Sequence, residues 1–166
     1  MPGNLLRIIF LRGSPERILY SRRLFLVVLV AAVAASALVQ IYYFRDHTTF
    51  VILRVFAELT VFMVWMVLLT ARVARLRLAS LMLVLLLISL FGDSVLLLLS
   101  PLPLADVARP LGLIWGIALL YGAGNATSWA LRKPLSHGCL QSGLYGLFVV
   151  GLDLAFRGLY EIVAAG

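Results

Sequence analysis

The chain has 166 residues, 63% of them hydrophobic and only 13% charged, with a mean hydropathy of +1.08. A soluble domain carries about a quarter of its residues as surface charges, so a water-facing globular fold is excluded and most of this surface must meet lipid. The net charge of +7 does not signal nucleic acid: the arginines fall in short clusters between long apolar runs, form no continuous basic face, and read as topology signals.

A bilayer core of about 30 Å requires about 20 apolar residues in a helix. Helix is the open choice because backbone polar groups in lipid must be satisfied within the segment. The pattern predicts an all-α, polytopic transmembrane bundle of five spans over residues 24–166, preceded by a basic segment over residues 1–23. In that segment Leu5, Leu6, Ile8, Ile9, Phe10 and Leu11 are apolar and Gly13 breaks the run. Ser14, Pro15 and Glu16 then supply an N-cap, a first-turn proline and a first-turn acid. The expectation is a short interfacial helix, a turn, and a first helix that starts ahead of its membrane portion. Arg7, Arg12, Arg17, Arg22 and Arg23 would attract anionic lipid headgroups, each worth on the order of 1 kcal/mol.

The first span, 24–44, is uncharged and ends in an aromatic anchor of Tyr42, Tyr43 and Phe44. Ala35-Ser36-Ala37 resembles a signal-peptide cleavage site, but the apolar run is too long for one and reads as an uncleaved anchor. The second span, 50–71, carries Arg54 and Glu58, and the third, 78–100, carries Asp93 before Pro101 and Pro103 stop it. The fourth, 111–131, is uncharged; the fifth, 144–164, contains Asp153, Arg157 and Glu161. If that ladder lay at the surface, four spans would remain. Basic-rich and basic-poor connections alternate, which puts the N-terminus in the cytoplasm and the C-terminus outside.

Six charges therefore lie within spans. Arg54 and Glu58 share a helix face, as do Asp153, Arg157 and Glu161, and Asp93 stands alone in its helix. The topology places all six in the middle-to-outer part of the membrane, where they could meet in one network. Each costs at least about 2.5–3.5 kcal/mol to insert unpaired, so such groups turn inward and pair. Two arginines face four acids. Burial favours the neutral acid, so one carboxyl is expected to be neutral, Asp93 first; otherwise a partner subunit or a bound cation supplies the missing positive charge.

Small residues give a packing signal: Gly112 and Gly116 in the fourth span, and Ala31/Ala35 and Ala32/Ser36 in the first. Asn125, inside a span, is expected to hydrogen-bond a neighbouring helix rather than to accept a glycan. Cys139 is the only cysteine, which excludes an intrachain disulfide and a CxxC pair. His47 and His137 are expected on opposite sides of the membrane, so they form no shared metal site, and Ser136 beside His137 is adjacency rather than a catalytic geometry. Trp65, Trp115 and Trp129 read as packing and interface anchors. The sequence calls for no cofactor, metal or enzymatic activity.

Asn4-Leu5-Leu6-Arg7, then Ser14-Pro15-Glu16-Arg17, a basic step and five apolar runs resemble bacterial Yip1-type membrane proteins. The resemblance implies five helices, a cytoplasmic N-terminus and a bacterial inner-membrane location. The chain lacks the Asp-Leu-Tyr-Gly-Pro segment of eukaryotic members, and Arg54, Glu58 and Asp93 match no family motif, so no functional residue carries over. Connections this short leave no room for an extramembrane domain. The expected role is an accessory or scaffolding subunit acting through helix contacts in a larger membrane complex or homo-oligomer, with a small proton- or cation-coupled carrier as the alternative.

Overall fold

The computed structural model describes Arg7 and residues 20–43, 47–70, 72–99 and 105–165. Five helices account for nearly all of them: α1 (Arg22–Tyr43), α2 (Thr48–Thr70), α3 (Arg75–Leu99), α4 (Ala105–Leu131) and α5 (Leu135–Ala165). There is no strand among the described residues. Four helices, α1, α2, α3 and α5, are long and apolar enough to cross a membrane. Arg12, Arg17 and the expected interfacial helix lie outside the described residues.

Three boundaries differ from the sequence expectation. α1 starts at Arg22, two residues ahead of the apolar run, where the Ser21 hydroxyl accepts the Leu24 N–H at 3.1 Å; Ser14, Pro15 and Glu16 lie outside the described residues. α4 begins at Ala105 and continues through Pro110, giving up one main-chain hydrogen bond there. α5 starts nine residues before the apolar run, at Leu135, where the Pro134 carbonyl accepts the N–H groups of His137 and Gly138. Hydropathy missed this first part because Ser136, His137, Gln141 and Ser142 dilute it. These residues nonetheless belong to a packed helix, since Gly138 and Ser142 are buried.

Contacts between helices run in opposite residue order. Phe50, Arg54 and Phe62 of α2 meet Tyr160, Asp153 and Tyr145 of α5. Phe91 and Arg77 of α3 meet Trp115 and Trp129 of α4. Neighbours in sequence therefore alternate up and down. In space α1 packs on α3, α3 on α4, α4 on α5, α5 on α2 and α2 on α1, closing a ring.

One end of the ring collects Arg22, Arg23, Arg72, Arg77, Arg132 and Lys133. Arg77 sits 5.5 Å over the Trp129 ring there, anchoring a charge at a helix end by its attraction to the aromatic face. The opposite end is marked by His47, Phe50 and Tyr160, whose rings meet edge-on with centroids 5.2–6.1 Å apart. His47 and His137 lie at opposite ends. The tightest core is in the basic half, where Leu81, Leu83, Val84 and Thr127 are fully buried among Met66, Leu69 and Ala130. On α1 the buried stripe is Val28, Ala32, Ala35 and Val39, with Ala31 only partly covered.

The α4–α5 hairpin is the closest helix pair. Arg132 closes α4 in the left-handed region, φ 54°. Lys133 N–H reaches the Ser128 carbonyl at 3.1 Å and Arg132 N–H the Trp129 carbonyl at 3.3 Å, the two bonds of a Schellman cap. A Cβ at Gly138 would strike the Gly124 carbonyl oxygen and come within 2.6 Å of Ser128 N; one at Gly124 would lie 2.6 Å from Cys139 Sγ. Only glycine permits this approach. Thr127 and Ser142 share a buried hydrogen bond of 3.3 Å across the same interface.

Candidate functional site

From Thr127 and Trp65 near the basic end to Leu96 near the other, the ring opens into a cavity of about 490 Å³ lined by residues from all five helices. Its wall is mostly apolar. Phe62, Trp65 and Tyr145 form an aromatic side, with Tyr145 centroids 6.4 Å from Phe62 and 5.8 Å from Trp65. Ser36, Ser89, Thr127 and Ser142 contribute hydroxyls, and Glu58 is the one charged residue of the lining among the described residues.

Glu58 is the inner end of a chain of ion pairs. Its carboxylate accepts a hydrogen bond from Ser36 Oγ at 3.1 Å and pairs with Arg54 at 3.3 Å. Arg54, only 3% exposed, also faces Asp153 at 3.7 Å through Nε. Asp153 in turn holds Arg157 at 2.8 Å. The helical i,i+4 spacing supplies the Arg54–Glu58 and Asp153–Arg157 contacts; the antiparallel α2–α5 packing joins the two into one chain.

Asp93 of α3 lies within electrostatic range of both Glu58 and Arg54. Its Oδ2 is buried with no hydrogen-bond partner among the described residues, as is Gln40 Oε1 on α1. The sixth intramembrane charge is placed differently. Glu161 is exposed on α5, two turns beyond Asp153, and no ion pair reaches it among the described residues. The cluster is thus Arg54, Glu58, Asp93, Asp153 and Arg157, three acids against two arginines. At about 1.5 Å per residue, Arg54 and Asp93 each stand about 9 Å from the helix end remote from the basic face.

The small-residue positions also separate. Gly116 lines the cavity, and a Cβ there would meet nothing within 4 Å; it brings no helix close. The surroundings of Gly112 lie outside the described residues. Asn125 is partly buried in α4. Sequence reasoning missed the pair that does bring two backbones together, Gly124 and Gly138, because they sit on different helices and form no GxxxG. It also missed Tyr145 and Phe62, and took Ser36 as a small packing residue rather than a partner of Glu58; the signal of the first two is only that each falls on the same helix face as a charged or cavity-lining neighbour. Among the described residues no three His, Cys, Asp or Glu side chains group as a metal site.

Comparison with protein-family models, with curated proteins and with solved structures finds no match for this chain.

Proposed function

We propose that the chain is a five-span membrane protein with its basic end on the cytoplasmic side, serving as an accessory or scaffolding subunit that receives a further membrane helix on the outer face of α5. The observation that carries this reading is an open glycine stripe. Gly143, Gly151 and Gly158 lie on one side of α5, and a Cβ on any of them would meet nothing within 4 Å. Leu140, Leu147 and Leu154 alternate with them and are 61%, 69% and 65% exposed.

Helices associate in lipid by close backbone approach over small residues rather than by hydrophobic burial. A helix that spends three glycines on its lipid side gives up packing within the chain and gains a surface for another helix. Arg157, 48% exposed, and Glu161 extend this face with opposite charges one turn apart. A partner helix with a complementary pair, in a larger complex or in a second copy, would cover both. The fourth helix completes the count: Leu111 to Leu131 is uncharged and α4 runs 27 residues. A bacterial inner membrane follows from the Yip1-type resemblance alone.

Gentle purification of the tagged chain tests the proposal. Recovery of a stoichiometric partner or a stable dimer that is lost in Gly151→Leu and Gly158→Leu supports it; a clean monodisperse monomer overturns it. The carrier reading is favoured by one observation, the Glu58-lined cavity in the membrane interior. Asp93→Asn should then abolish pH-driven flux in liposomes, and unchanged flux dismisses Asp93.

A further inference from the structure

We propose that the central cavity binds a lipophilic organic cation taken up sideways from the bilayer. The inference concerns binding and stands apart from the docking of α5.

Volume sets the class of occupant. At about 490 Å³ the cavity falls within the roughly 300–1,000 Å³ range of small-molecule sites, far beyond what one water or a bare metal ion needs. Its mouth sets the route. Leu96, Leu120 and Val150 are lining residues that are also 41%, 38% and 56% exposed, and Gly116 beside them is open. All four are apolar, with Gly116, Leu120 and Val150 near the middle of their helices and Leu96 three residues from the end of α3, so the opening faces lipid tails and admits molecules that partition there. The floor, by contrast, is closed by Ala32, Phe62 and Thr127, which are 5%, 9% and 1% exposed.

Charge sets the sign. Glu58 is the cluster's carboxylate on the cavity wall, and it shares Arg54 with Asp153. Because one guanidinium serves two carboxylates, Glu58 is left short of a full positive counter-charge. A cation in the cavity supplies it at Glu58. The rings of Phe62, Trp65 and Tyr145 present a wall of the kind that attracts desolvated cations, whereas an anion would meet both the acids and the negative ring faces.

The full-length purified chain, in micelles, is titrated with tetraphenylphosphonium and separately with tetraphenylborate, an anion of the same shape. Tryptophan quenching and calorimetry report occupancy. Saturable binding of the phosphonium and none of the borate is expected. Glu58→Gln should weaken the phosphonium by roughly tenfold or more, with Glu58→Asp close to the parent. Gly116→Leu, whose Cβ meets nothing within 4 Å, places a side chain at the mouth and should abolish binding while leaving the unfolding midpoint in place. Absence of saturable phosphonium binding, equal binding of the borate, or undiminished binding by Gly116→Leu overturns the proposal.

Discussion

Replacing Gly138 by alanine tests the geometry of the α4–α5 hairpin with one methyl group. The added Cβ would meet three atoms of α4: the Gly124 carbonyl oxygen, Ser128 N at 2.6 Å and Ser128 Cβ at 2.7 Å. Two of the three are backbone and none can rotate away. Restoring ordinary contact requires the helices to part by about 1 Å, and overpacking of this kind costs typically 1–3 kcal/mol. The cost should fall at the upper end, since separation also stretches the 3.3 Å Thr127–Ser142 hydrogen bond. The single cysteine is a built-in reporter: Cys139 Sγ lies 2.6 Å from where a Gly124 Cβ would be, inside the same interface. Gly138→Ala should therefore unfold at lower denaturant and alkylate faster at Cys139. Gly151→Ala, with open space at its Cβ, is the control and should match the parent in both assays. If Gly138→Ala also matches the parent, the close approach of the two helices is wrong.

Arg54→Met removes the shared guanidinium and leaves Glu58 with only Ser36. Breaking a buried pair by deleting one partner costs about 3–5 kcal/mol, measured as a shift in the unfolding curve, and Arg54→Lys should recover only part of it because one ammonium cannot span two carboxylates. Arg132→Gly relieves a left-handed backbone that costs an L-residue about 1–2 kcal/mol, so it should raise the unfolding midpoint; no gain would mean the cap is not strained.

Much of the architecture could be read from residue order alone. Apolar runs bounded by arginine clusters mark the helices because a bilayer tolerates little else, and i,i+4 spacing in a helix is enough to pair Arg54 with Glu58 and Asp153 with Arg157. The start of α5 was hidden because Gly138 and Ser142 are buried by a neighbouring helix, and hydropathy measures affinity for lipid rather than for protein. Glu161 continues the same ladder on paper, yet the eight-residue step from Asp153 carries it around the helix to the outer side. The cavity was illegible: an empty space depends on how five helix faces meet, and no single residue encodes it.

The fully buried side chains and the glycine-tight hairpin occupy the basic end of the bundle, whereas the void begins inside them at Thr127 and Trp65 and runs toward Leu96 at the opposite end. Mechanical stiffness is therefore graded along the membrane normal. A tightly packed end has little compressibility, while helices surrounding an unfilled space can lean at small cost. Motion in this protein should resemble a clamp pivoting at the basic end, with amide exchange slowest near Leu83 and Thr127 and rising toward Leu96 and Val150. Any occupant of the cavity would act on that gradient by stiffening the compliant half.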